Sequence, residues 1–170
     1  MDNKSIVKTL KLFAQLLELH EENPFKIKNF TNANFKLSKY AEPLFSKSLE
    51  DLAKIEGVGK SAASKIIEFI ETGVIEELEA LKQITPAGII DMLQIKGIGP
   101  KKIRIIWTEL NIDTIGELYY ACNENRLVEA KGFGYKTQED VKKQIEFFWS
   151  NTGKNLYANA LLIANEFEAY

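Results

Sequence analysis

The sequence predicts an all-α protein made of small helical bundles, and three observations carry that reading. Apolar residues recur at helical spacing along most of the chain, as in Ile6, Leu10, Phe13 and Leu17. No stretch alternates apolar and polar residues with the period of a strand. Three hexapeptides, IEGVGK from Ile55, IKGIGP from Ile95 and AKGFGY from Ala130, place the same Gly-x-Gly turn between helical stretches.

The first helix covers Ile6 to Leu17, with Val7 and Ala14 beside the apolar stripe, and Asn23-Pro24 is expected to stop it. A second helix is expected from about Ile27 to Tyr40, ended before Pro43. Ser48 caps the short helix SLEDLAKI, with Asp51 three residues on as in a capping pattern. KSAASKIIEFIETG follows the first glycine turn and closes at Gly73. Glu76 to Leu81 forms another short helix, an acidic stretch read as an exposed face, and Thr85-Pro86 opens the next with Pro in its first turn. Pro100 to about Leu110 is helical, Asp113 is expected to cap TIGELYYACNEN, and Lys136 to Trp149 follows. A final helix over Asn155 to Tyr170 carries a wide apolar band through Leu156, Leu161 and Phe167. It suggests a chain that continues, the other reading being an ordinary terminal helix.

Superposed on their first glycines, the three copies agree well beyond the turn. Leu52, Met92 and Leu127 stand before it, Val58, Ile98 and Phe133 inside it, and Ile66, Ile106 and Val141 after it. Apolar residues on both sides of a tight glycine turn describe two helices packed across it, the helix-hairpin-helix pattern. Glycines at Gly57, Gly59, Gly97, Gly99, Gly132 and Gly134 leave the backbone bare, so a phosphate can approach main-chain N–H groups. The second helix starts there, and its unpaired N–H groups and dipole favour an anion. Lys60, Lys101, Lys102 and Lys136 fall in that first turn, where a base opposes the dipole and a bound phosphate would account for it. Such contacts hold the sugar-phosphate backbone without reading bases. The competing reading is a glycine-containing helical corner with no ligand.

Composition sets the outer bounds. The longest apolar runs fall far short of a membrane span, and the start lacks a signal peptide's apolar stretch. One cysteine, Cys122, excludes an internal disulfide framework and suits a reducing, cytoplasmic setting. With one His and one Cys, no His/Cys zinc site can form. The net charge of −2 conceals segregation. Residues 1–65 carry 11 Lys against 8 acids, and 95–145 carry 9 Lys and Arg against 7, whereas 66–94 carry one Lys against 6. The hairpins therefore lie in the mildly basic segments.

NPFKIKNFTNA, then LAKIEGVGKSAASKIIEFIETG, IKGIGPKKI and KGFGYKTQEDV resemble the amino-terminal region of bacterial family X DNA polymerases, which are DNA polymerase beta-like. The resemblance implies two domains. Residues 1–83 would be a lyase-like, four-helix, 5′-phosphate-binding domain with the first hairpin. Residues 84–170 would be a duplex-gripping domain with the other two, leading to a palm outside this sequence. It implies binding to gapped or nicked duplex DNA in repair, by a monomer, with Mg2+ needed only in the palm; no Asp-x-Asp pair occurs here. Aligned through Gly-Val-Gly, the family's Schiff-base lysine falls on Lys65. Such an amine must shed its proton to attack, which nearby cations or partial burial favour, Lys54 and Lys60 being the cations at hand. The plainer reading of Lys65 is an exposed lysine paired with Glu68 at i, i+3.

By the same resemblance Lys26 matches the lysine that holds a 5′-phosphate, and Phe25 the ring that stacks near the template. The chain departs from the family at Phe30, where a tyrosine is usual, at Thr31 and Asn32, usually basic, and at Ser61, usually lysine. Those losses make DNA binding a safer inheritance than lyase chemistry. The family's hairpins also bind K+ or Na+ through main-chain carbonyls. The matching positions are Ala53, Ile55 and Val58, and Leu93, Ile95 and Ile98. Two rivals stay open: a non-catalytic DNA-binding module and a protein-interaction bundle. His20 reads as a helix-end residue, Trp107, Trp149 and Cys122 as core.

Overall fold

The computed structural model describes residues 1–152, and among them every regular element is a helix. They belong to two compact units, Met1–Thr85 and one beginning at Pro86.

The first unit holds α1 (Asn3–Leu19), α2 (Pro24–Leu37), α3 (Leu49–Lys54), α4 (Lys60–Thr72) and α5 (Glu76–Gln83). The apolar stripe of α1 packs along α2, with α4 and α5 also against α1, and α3 lies on α4. At the centre, Phe13 and Phe30 are fully buried and meet edge to face at 4.7 Å between centroids. Each such burial is worth about 1.5–3 kcal/mol, and the ring pair adds about 0.5–1.5.

Two helix ends differ from the sequence reading. Pro24 does not merely stop α1; it opens α2, because the Asn23 carboxamide accepts the Phe25 N–H at 2.9 Å and the Lys26 N–H at 3.5 Å. Proline suits a first helical position, where its missing N–H is not needed. The chain leaves α1 through His20 and then Glu21, whose φ of 54° is left-handed. His20 Nε2 lies 2.7 Å from the Thr85 hydroxyl, which itself donates to the Leu81 carbonyl at 2.6 Å. With its one proton spent, that hydroxyl accepts, so Nε2 carries the imidazole proton in this pair.

The second unit holds α6 (Ala87–Met92), α7 (Pro100–Thr108), α8 (Ile115–Asn123), a 3-10 turn (Leu127–Glu129) and α9 (Tyr135–Asn151). Pro86 is the N-cap of α6 rather than a residue of its first turn. Thr114, not Asp113, caps α8. Its hydroxyl accepts the Glu117 N–H at 3.1 Å, and the Glu117 carboxylate returns to the N–H of Asp113, one residue before the cap, at 3.2 Å, a close variant of the capping box. Tyr119 ties α8 to α9, meeting the Trp149 ring at a tilt of 59° and donating to Glu146 at 2.8 Å. Its burial, and then that bond, push the phenol up to about 12. The helix expected over Asn155 to Tyr170 lies outside the described residues.

Candidate nucleic-acid interface

The three turns share one backbone geometry. The first glycines, Gly57, Gly97 and Gly132, take φ of 84°, 95° and 88°, a region that favours glycine. The residue between the glycines turns inward: Val58, Ile98 and Phe133 are all buried, over Leu52, Met92 and Leu127, which are fully buried. In the first and third copies that residue's N–H closes the turn, Val58 to the Ile55 carbonyl at 2.9 Å and Phe133 to the Ala130 carbonyl at 3.2 Å. Ile66, Ile106 and Val141 complete the packing from the second helix. The sequence motif is therefore a clamp in which an apolar plug holds the turn against the helix pair.

The second glycines, Gly59, Gly99 and Gly134, are N-caps of α4, α7 and α9, and none supplies a side-chain acceptor. Their φ values of −78°, −97° and −94° suit any residue. A Cβ on any of the three would meet nothing within 4 Å. Sterically the fold leaves room for a side chain there, so the demand for glycine is no more than its preference at an N-cap. What remains is a bare backbone, with free N–H groups at a positive helix end, open to a partner outside the chain.

Basic side chains surround these turns. Lys60 is the first residue of α4, Lys101 the second of α7 and Lys136 the second of α9, all exposed. Lys102 is half-buried, with Nζ 5.7 Å from the Phe133 centroid, so it joins the second hairpin to the turn of the third. Between those two hairpins lies a cleft of about 300 Å³ lined by Lys96, Gly97, Lys102, Thr137, Asp140 and Gln144. Beside the first hairpin, Lys36 from α2 lies over Gly57, where a Cβ would come within 2.7 Å of its Cγ, and pairs with Glu56 at 3.1 Å. Lys96 fills the charged second position of its hexapeptide, whereas Lys36 is not marked by the repeat pattern. A signal for Lys36 is nonetheless present: between Glu22 and Glu42 the chain has four lysines and no acid. Phe25 is 79% exposed in the first turn of α2.

Of the carbonyls expected to hold a cation, Ala53 is in the last turn of α3, Ile55 is its C-cap and Leu93 is the C-cap of α6. Ile95 lies two residues beyond that last cap, and Val58 and Ile98 lie within the turns, just before the N-caps Gly59 and Gly99. Carbonyl oxygens at a negative helix end are a donor set suited to an alkali cation rather than to zinc. Among the described residues no cluster of His, Cys, Asp or Glu could hold a metal ion.

Lys65 and Lys26 are placed together, in company that the sequence does not suggest. Lys65 is half-buried, 3.0 Å from Glu68 and 3.7 Å from Glu77. Lys26 pairs with Glu77 from the other side and lies 5.9 Å over the Phe13 ring. The neighbours of Lys65 are thus carboxylates, not the cations Lys54 and Lys60; Lys54 pairs with Asp51 at 3.5 Å. Nor is the acidic stretch of α5 simply a solvated face, since Glu77 is half-buried between two lysines. Glu68 also accepts the Glu76 N–H at 2.7 Å, and that bond, followed by Lys65, lowers its pKa below the ordinary 4.5.

Residues 1–75 match the family described as a helix-hairpin-helix domain, and residues 89–146 the one described as a SAM-like helix-hairpin-helix tandem. Both units are helix-hairpin-helix domains. The chain is also similar to the DNA polymerase/3'-5' exonuclease PolX of Bacillus subtilis (strain 168), with 30% identity over 170 residues. The match takes in all of this chain and 30% of the relative's length. The resemblance to family X polymerases drawn from the motifs therefore runs the full length of the helix-hairpin-helix array. No described helix is long and apolar enough to cross a membrane.

Proposed function

We propose that this chain binds gapped or nicked duplex DNA through its hairpins, without reading sequence, as the DNA-gripping part of a family X polymerase. The observation that carries this reading is the second glycine of each hairpin, a bare backbone at a helix start with no side-chain cap and open space where a Cβ would stand. In this reading the first-turn N–H groups of α4, α7 and α9 receive phosphates, in α7 from Lys101 onward because Pro100 has none, and Lys60, Lys101 and Lys136 flank them. K+ or Na+ would be held by the Ala53, Ile55 and Val58 carbonyls and by those of Leu93, Ile95 and Ile98, where it would neutralise part of the phosphate charge. The protein would work in repair, as a cytoplasmic monomer, with Mg2+ confined to a palm.

Lys65 is read here as a binding-side residue rather than a lyase nucleophile. Its ammonium is held by Glu68 and Glu77, and a Schiff base to an abasic sugar needs that nitrogen out of both pairs. Borohydride trapping on abasic DNA tests this: a covalent adduct lost in Lys65→Ala would reinstate the lyase.

Binding is tested by fluorescence anisotropy on a gapped duplex at about 50 and 200 mM salt, where several phosphate contacts give a steep loss of affinity. Gly99→Val is expected to weaken binding by about tenfold or more, because its methyls occupy the phosphate approach, a loss larger than the roughly 1 kcal/mol that a poorer N-cap takes from stability. Absence of binding at low salt, or an unaffected Gly99→Val, refutes the reading and favours a protein-interaction bundle.

A further inference from the structure

At the third hairpin an aromatic ring stands in water at a place where the other two hairpins carry none. The residue that follows the second glycine and opens the second helix is Lys60 in the first copy, Pro100 in the second and Tyr135 in the third. Tyr135 is 67% exposed, and among the described large apolar and aromatic side chains only Phe25 is more so. No described ring, cation or side-chain hydrogen bond engages it. The turn is held instead by Phe133, which is buried, so the fold of this hairpin does not depend on the tyrosine ring. Charge around the ring has one sign. From Ala130 to Thr137 the chain carries Lys131 and Lys136 and no acid; the nearest acids along it, Glu129 and Glu139, fall outside that stretch. Both lysines are exposed and make no ion pair among the described residues. Lys102, with Nζ 5.7 Å from the Phe133 centroid, brings a further ammonium to the same turn.

An exposed ring set among ammonium groups is the combination that holds single-stranded nucleic acid, the cations following the phosphates while the ring takes the face of a base. A paired base inside a duplex has both faces covered by its neighbours and leaves such a ring nothing to stack on. An unpaired base leaves a face open. Lys60 and Pro100 present no aromatic face at the matching place, so the third hairpin differs from the others in the part of the nucleotide it can engage. We infer that Tyr135 is a base-stacking residue and that the third hairpin takes an unpaired nucleotide, such as one in the gapped strand, while the first two hold duplex phosphates. The inference rests on the DNA-binding reading above and divides its ligand among the hairpins. Every base has a face to stack, so the contact adds affinity for unpaired strand without reading sequence.

Anisotropy on the full chain compares three probes: a single-stranded oligonucleotide, a strand of the same length built of abasic spacers, and an intact duplex. The parent is expected to bind the base-bearing strand about fivefold or more tightly than the spacer strand, which keeps the phosphates and lacks the bases. Tyr135→Ala should remove that difference while duplex affinity stays within about twofold of the parent, and Tyr135→Phe, which keeps the ring, should match the parent throughout. Tyr135→Leu keeps apolar bulk and a good helix former without an aromatic face, so it should behave as Tyr135→Ala; this separates stacking from any effect on the start of α9. A parent that binds the two strands equally, a Tyr135→Ala or Tyr135→Leu that keeps the difference, or an equal loss on intact duplex overturns the inference. Binding to duplex with none to the single strand also overturns it and leaves the DNA-binding reading standing. If the parent binds none of the three probes at low salt, both fall.

Discussion

Gly88→Ala is expected to destabilise the second unit markedly, although Gly88 lies in a helix with no left-handed backbone to protect. A Cβ at this position would stand 2.0 Å from the Asp113 carbonyl oxygen and 2.9 Å from the Thr114 Cα. That is roughly 1.5 Å inside an ordinary van der Waals contact, so α6 and the start of α8 must separate. The obstructing atoms are backbone, and they belong to the capped end of α8, where the Thr114 and Glu117 bonds hold the chain. Overpacking of this kind costs about 1–3 kcal/mol, and a clash with backbone sits at the upper part of that range. The gain in helix propensity on replacing glycine, at most about 1 kcal/mol, offsets only part of it. A net loss of about 2 kcal/mol corresponds to a fall of roughly 8–16 °C in melting temperature for a unit of this size. Thermal melting followed by far-ultraviolet circular dichroism measures it, with Gly99→Ala as control, since its Cβ meets nothing within 4 Å. If Gly88→Ala melts within about 2 °C of the parent, or higher, the close approach of α6 to α8 is wrong.

Two further outcomes depend on titration. The folded pKa of Glu68 is held below 4.5 by the Glu76 N–H and by Lys65, so its stabilisation is fully present above that value and is lost as pH falls through the folded pKa. Glu68→Gln should therefore flatten the acid limb of a melting-temperature against pH curve below about pH 5 while lowering stability at pH 7; an unchanged acid limb would show that the pair contributes nothing. Burial pushes the Cys122 thiol up to about 11. At pH 8 its reaction with a disulfide reagent should run on the order of 100-fold slower in the folded chain than in denaturant, and equal rates would show that the site is open.

How far the site is legible depends on the range of the interactions that build it. The turns at Gly57, Gly97 and Gly132 can be read directly, because a positive φ, an apolar plug and a following amphipathic helix are all local. Lysines in the first turns of α4, α7 and α9 are readable for the same reason. The boundary differences at Pro24 and Asp113 arise where two neighbouring residues could both serve as cap or breaker, and only bond geometry chooses Asn23 and Thr114. Lys36 escapes sequence reading because nothing in its own helix points to Gly57; the approach exists only once α2 and the first hairpin pack.

By itself, then, the sequence determined the helical class, the three glycine turns and the burial of Leu52, Val58, Met92, Ile98, Leu127 and Phe133. These follow from backbone sterics and from periodicity over a few residues. The tertiary structure decided which charges meet. Lys26 reaches Glu77 across 51 positions of sequence, and Lys65 shares that carboxylate only because α2, α4 and α5 bring them together. A long side chain meets whatever partner the packing places within a few ångströms, and its own segment does not specify that partner. So the two lysines of the first unit that the family pattern marks for an external anion are, in the folded chain, already occupied by an internal one.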